Sequence, residues 1–259
     1  MIDNRPIGFF DSGVGGTSIW KEVHQLLPNE NTIYLADSRN APYGLRSKDE
    51  IISLSYKNTD LLLQNDCKLI IVACNTATTN AIGQLRSKYK STSFIGIEPA
   101  LKPAAASSQT NLIGVLATKG TISSDLFNKS VQSYTGTKII EQIGYGLVEL
   151  IENNKMYSPE MTQLLHLYLE PMVNAGIDYL VLGCSHYPYL IPQMREILPL
   201  HIKIIDSGQA VALQTRKILS ATSGFSNTKT TNHIFFTNGN PDVLTQLIGT
   251  NYNIEELDF

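Results

Sequence analysis

The sequence is short of several things, and each shortage removes a class of protein. It has three cysteines in 259 residues: Cys67, Cys74 and Cys184. An odd, low count builds no disulfide framework and fits a reducing compartment. There is no CxxC pair and no clustered Cys/His set, so a structural zinc site is not expected. Long hydrophobic runs are missing, and none approaches the roughly 20 residues that span a bilayer. The N-terminal Met1-Ile2-Asp3-Asn4-Arg5-Pro6 is polar, with no apolar signal core behind it. These absences point to the cytoplasm and away from a membrane. Charge is sparse as well. Charged residues make up 17% of the chain and the net charge is −3, with no basic stripe to hold nucleic acid.

What is present reads as a globular enzyme. A hydrophobic content of 42% is ordinary for one. Short apolar runs alternate with longer helical patterns, which favours an α/β fold with parallel strands. The expected strands are Ile7–Phe10, Thr32–Ala36, Leu69–Ala73, Phe94–Ile97, Leu112–Ala117, Lys138–Gln142, Tyr179–Leu182, Lys203–Ile205 and Ile234–Thr237. The expected helices are Thr17–Leu27, Lys48–Gln64, Ala77–Lys88, Ser123–Ser133, Pro159–Ala175, Ile191–Leu198 and Gly208–Ser220. A weak repeat relates the run from Ile7 to Gly13 with that from Ile113 to Thr121, and a similar interval separates Cys74 from Cys184. Two homologous lobes are expected: residues 1–98 with 207–259, and residues 99–206.

The two cysteines end apolar runs in matching settings. Leu69–Ala73 leads into Cys74-Asn75-Thr76, and Tyr179–Gly183 leads into Cys184-Ser185-His186. Open α/β sheets bind ligands at the carboxyl ends of their strands. Two such ends facing each other place one thiol on either side of a ligand. A racemase needs that arrangement: one group removes a proton and the other returns it from the opposite face. His186 is an acid/base candidate beside Cys184. Two further turns follow strands. In Asp11-Ser12-Gly13-Val14-Gly15-Gly16, glycines allow close backbone approach, and the following helix offers N–H groups to an anion. In Ala41-Pro42-Tyr43-Gly44, a rigid turn can present amides to a carboxylate. Neither turn is GxGxxG or a Walker loop, so nucleotide binding is not supported. No arginine falls in either cysteine motif, so an anionic ligand would be held by backbone N–H groups and by Ser, Thr and Asn side chains.

Together these blocks resemble the glutamate racemases of the Asp/Glu racemase superfamily. The resemblance runs in family order through Phe10–Gly16, Ala36–Gly44, Ala73–Thr78, Gly114–Thr121, Leu182–Pro188 and Ile205–Gly208, and covers most of the chain. It implies two pseudo-symmetric lobes, each a mostly parallel sheet flanked by helices, with the active site in the cleft between them. It implies Cys74 and Cys184 as acid/base thiols assisted by Asp11 and His186. It further implies glutamate binding by Asp11, Ser12, Tyr43, Gly44, Asn75, Thr76, Ser185 and His186, with Thr118 and Thr121 bordering the pocket. The implied activity needs no cofactor and supplies D-glutamate for peptidoglycan, and a homodimer is a common family arrangement. The nearest alternative is an aspartate racemase-like enzyme. Two departures stand out. Ser185 replaces the usual Thr. Residues 143–150 lack a Cys and two Pro of the family block, which alters the approach to Glu152, the position given a supporting role.

Overall fold

A computed structural model describes residues 2–259. In the first part of the chain, β1 (Ile7–Asp11), α1 (Thr17–Leu26), β2 (Thr32–Ala36), α2 (Lys48–Gln64), β3 (Leu69–Val72), α3 (Asn75–Lys88) and β4 (Ser93–Gly96) alternate. The middle holds α4 (Leu101–Ser107), β5 (Leu112–Ala117), α5 (Lys119–Ile122), α6 (Asp125–Gln132), β6 (Lys138–Ile143), α7 (Leu147–Glu152), α8 (Pro159–Ala175), β7 (Tyr179–Gly183), α9 (Ile191–Ile197) and β8 (Lys203–Ile205). The chain closes with α10 (Gly208–Ala221), β9 (His233–Thr237), α11 (Pro241–Ile248) and β10 (Asn253–Glu256).

Two separate parallel sheets result. One has the order β10-β9-β2-β1-β3-β4 and the other β6-β5-β7-β8. The run β2-β1-β3-β4 in the first has the same order as the whole of the second, so the repeat read from the sequence is a repeat of topology. β1, β3 and β7 are buried at every residue, because helices cover both faces of a parallel sheet. The helices carry their own start signals. Ser47 and Glu50 form a reciprocal capping box on α2. Ser158 caps α8 ahead of Pro159, and Gly176 ends it with φ of 86°.

The chain passes from the first sheet to the second between β4 and α4 and returns between β8 and α10, which packs against α1. The Ser207 hydroxyl donates to the Glu98 carbonyl and ties the two crossings together. Among the described residues, no helix is long and apolar enough to cross a membrane.

Several elements differ from the sequence expectation. α3 begins at Asn75 rather than Ala77, because Cys74 itself is the cap. Short α4, α5 and α7 escape a periodicity search, since fewer than two turns show no repeating apolar face. β10 reads Asn-Ile-Glu-Glu and lies at a sheet edge, where strands need little apolar side chain. α11 has an Asn240 cap followed by Pro241, a start signal that the expected helices leave out.

An aromatic cluster closes the outer side of the first sheet. The Trp20 ring stacks on His24 at 4.9 Å, and His24 meets His233 edge-on at 4.6 Å. Burial, with His24 beside it, pushes His233 down from its ordinary 6.5 to about 4. Below 6.5 the unfolded chain therefore binds a proton that the folded chain refuses, so stability falls as pH drops from 6.5 towards about 4. We expect His233→Gln to flatten that part of a plot of thermal midpoint against pH. An unchanged slope in the variant would remove the cluster from the account.

Candidate active site

The carboxyl ends of β1, β3, β5 and β7 converge between the two sheets. Cys74 follows β3 and caps α3, its sulfur accepting the Ala77 N–H at 3.4 Å. Cys184 follows β7, and its sulfur lies 3.8 Å from His186 Nδ1. Both thiols are buried and free. They line one narrow cavity of about 10 Å³ with Ser12, Tyr43, Gly44, Asn75, Thr76, Thr118, Val148, Ser185 and His186. That is room for about one water molecule, far below the roughly 300–1,000 Å³ of ligand sites, so the walls must part to admit a ligand. No lysine or arginine lies on its wall.

The wall offers neutral donors instead. Asn75 Nδ2 is buried without a hydrogen-bond partner, a rare and costly state for an amide unless a ligand completes it. The hydroxyls of Thr76, Thr118 and Thr121 form a cluster, with Thr76 and Thr118 at 2.8 Å and Thr118 donating to Thr121 at 3.1 Å. Thr76 belongs to α3 and the other two to the start of α5, so the cluster also joins the two halves. Asn80 reinforces the joint by donating to the Gly120 carbonyl at 2.9 Å.

Three acid/base groups back the thiols. The Asp11 carboxylate is fully buried, accepts the Gly16 N–H at 2.7 Å, and receives the Ser185 hydroxyl at 3.2 Å. His186 Nδ1 is 4.0 Å from it. The other ring nitrogen of His186 bonds Glu152 at 2.6 Å. Glu152 also accepts the Val14 N–H at 2.7 Å and the Ser38 hydroxyl at 2.8 Å. One carboxylate therefore fixes the imidazole and closes the cleft on the first half's turns.

The electrostatics of the two thiols differ. Burial pushes the Cys74 thiol well above its ordinary value, and the Asp11 carboxylate adds to this against the Ala77 N–H. Burial also pushes Asp11 up, opposed by His186. For His186, burial works against the imidazolium. Hydrogen bonds to Cys184 and Glu152 and the nearby Asp11 outweigh it, and His186 is pushed well above the usual histidine range. Cys184 thus faces the His186 imidazole and Cys74 the Asp11 carboxyl group.

The turn Asp11–Gly16 corrects one expectation. Its Val14 and Gly16 N–H groups are taken by Glu152 and Asp11, not left for a ligand anion. Its glycines make room for those partners. A Cβ on Gly13 would fall 1.9 Å from Glu152 Oε1, and one on Gly15 would fall 2.2 Å from His186 Nδ1. Gly15→Ala must push the imidazole aside. Misplacing a catalytic group by an ångström can cost about 10²-fold. We expect a loss of that order in turnover while the circular dichroism spectrum stays unchanged; full activity would show that His186 is free to move.

Of the residues singled out in the sequence, Cys74, Cys184, Ser12, Tyr43, Gly44, Asn75, Thr76, Thr118, Ser185 and His186 meet on the cavity wall. Asp11 and Thr121 stand directly behind it, bonded to Ser185 and to Thr118. Cys67 stays apart, packed beside Gly8, and burial pushes its thiol up to about 12. Glu152 was reached only through the resemblance, on its most altered segment. Gly146, with φ of 79°, turns the chain into α7 and delivers Glu152 to His186 without the missing Cys and Pro. Ser38 was legible within the Asp-Ser-Arg-Asn turn but carried no chemical signal of its own.

A two-lobed α/β scaffold that presents a buried thiol from each topological repeat to one enclosed cavity defines a class of protein. The chain belongs to the Asp/Glu/Hydantoin racemase family, whose profile matches residues 14–215. The glutamate racemase of Herpetosiphon aurantiacus is 43% identical to it over 221 residues, 85% of this chain and 87% of its own. Among solved structures, glutamate racemase isoform RacE1 of Bacillus anthracis has a TM-score of 0.87 at 30% identity, covering 98% of this chain and 97% of its own. Escherichia coli glutamate racemase, solved with L-glutamate and the activator UDP-MurNAc-ala, has a TM-score of 0.86 at 29% identity and covers 98% of each chain.

Proposed function

We propose that this protein interconverts L- and D-glutamate by a two-base reaction in which Cys74 and Cys184 act on opposite faces of Cα. The observation that carries this reading is the pair of buried thiols at equivalent strand ends, both on the wall of one small cavity. One thiolate removes the α-proton, and the opposite thiol protonates the carbanion on its other face. His186, held by Glu152, lies beside Cys184 as its acid/base partner. Asp11 disfavours negative charge on Cys74 and keeps its proton available. The substrate's carboxylates are held by the free Asn75 amide and the threonine hydroxyls. Such fixed dipoles act strongly in a site that excludes water. The α-proton is far less acidic than a thiol, so the pocket itself must stabilise the developing charge. Residues 1–98 with 207–259 form one lobe and residues 99–206 the other, and the cleft between them is the site. The product, D-glutamate, would serve peptidoglycan synthesis in the cytoplasm.

Aspartate is the competing substrate. It is shorter by one methylene, a difference that hydrophobic pockets read by only about 1–3 kcal/mol. Circular dichroism of L-glutamate and of L-aspartate with the purified protein separates the two readings. The expected result is decay of the glutamate signal to zero and slow or no change with aspartate. Decay with aspartate alone would move the assignment to the shorter dicarboxylate.

A further inference from the structure

Tyr43 lines the cavity, but its hydroxyl is bound by groups that do not. It donates to Asp37 at 2.5 Å and accepts from Asn58 Nδ2 at 3.0 Å. Asp37 is fully buried and accepts three more hydrogen bonds, from Asn40 Nδ2 at 2.8 Å, Asn238 Nδ2 at 2.6 Å and Lys57 Nζ at 3.0 Å. Lys57 supplies the positive charge of this network. It and Asn58 are adjacent on α2, so one helix reaches both the carboxylate and the phenol.

A lysine ammonium is a mobile point charge on a flexible stem, and ordering it costs rotamer entropy. Here three contacts hold it. Besides Asp37, Lys57 Nζ donates to the Phe259 carbonyl at 3.0 Å and lies 5.0 Å from the centre of the Phe259 ring. Residues 257–259 are themselves tied down. The Leu257 N–H donates to the Thr237 carbonyl at 2.9 Å, and Asp258 pairs with Arg39.

We propose that Lys57 is a positioning residue for substrate binding. It acts through Asp37 on Tyr43 and so fixes the Tyr43–Gly44 wall of the cavity, while residues 257–259 hold Lys57 in place. The proposal rests on the racemase reading of that cavity. Lys57 does not line the cavity, so its influence must pass through the network. A change confined to the wall weakens ground-state and transition-state binding alike, and such a change raises KM with little effect on kcat.

The test is a double-mutant cycle of Lys57→Met and Tyr43→Phe, read as kcat and KM for glutamate. Lys57→Met alone is expected to raise KM by about fivefold to tenfold with kcat changed by less than about twofold, the scale of coupling within one hydrogen-bond network. In the Tyr43→Phe background, which lacks the phenol that Asp37 holds, the same substitution should leave KM nearly unchanged. An equal rise in both backgrounds, no rise in either, or a fall confined to kcat would overturn the proposal. Should Lys57→Met not accumulate as folded protein, Lys57→Gln, which retains a neutral donor, takes its place under the same criteria. If the unmodified protein does not turn over glutamate, the reading of the site fails and this proposal falls with it. If it does and the cycle is additive, only the role of Lys57 fails.

Discussion

Serine at either cysteine position is expected to lower racemisation by about 10²–10⁴-fold, the usual contribution of a positioned acid/base group. A serine hydroxyl is far less acidic than a thiol, so it is a poor proton donor and its alkoxide is scarcely populated in the site. The two variants should differ in a way that identifies each thiol. Mirror-image substrates have equal free energy, so kcat/KM in the two directions must fall together in any variant. The asymmetry belongs in the isotope effect. Cys74→Ser should show a larger α-deuterium effect starting from one enantiomer, and Cys184→Ser a larger effect starting from the other. Both thiols line one cavity but have different neighbours, Asp11 for Cys74 and His186 for Cys184. Substantial activity in both variants, with no exchange of isotope effects, would remove the thiols from the reaction.

Glu152→Gln is expected to lower kcat by about 10–100-fold, the scale of a hydrogen bond to a charged group. The amide oxygen can still accept from the Val14 N–H and from His186, so the turn and the ring keep their places. What is lost is the negative charge that helps hold His186 protonated. The imidazole pKa should then drop towards the ordinary range. The deficit of the variant relative to the parent should therefore be smallest at low pH and grow as pH rises. A deficit that is constant across pH would assign Glu152 to closing the cleft rather than to charge on His186.

The sequence made the thiols and their immediate followers legible because the chemistry is contiguous. Asn75 and Thr76 ride on the start of α3, and Ser185 and His186 complete the turn after β7, so placing the cysteine places them too. The strand ends were legible for a related reason: unbroken apolar runs such as Leu-Ile-Ile-Val require burial on both faces. What escaped depends on distant pairings. Glu152 reaches His186, Val14 and Ser38 from a helix of six residues that shows no periodicity. The same pairings explain why the glycine-rich turn has little left for a ligand anion. Local sequence shows its free N–H groups, but not that Asp11 folds back on Gly16 or that Glu152 arrives from elsewhere to take the Val14 N–H. Lys57 and Phe259 are likewise separated by most of the chain, and only the fold brings them together behind Tyr43.

The most direct test of the central claim is isotope incorporation from D₂O. L-glutamate is incubated with the protein to low conversion, the enantiomers are separated, and deuterium at Cα is measured by mass spectrometry. Two thiols acting from opposite faces predict one deuterium in the D-glutamate formed and almost none in the remaining L-glutamate. The second thiol delivers a solvent-derived deuteron, and return from the first is a separate event. D-glutamate without deuterium, or equal labelling of both enantiomers at the earliest times, would contradict a reaction in which Cys74 and Cys184 act as independent bases on opposite faces.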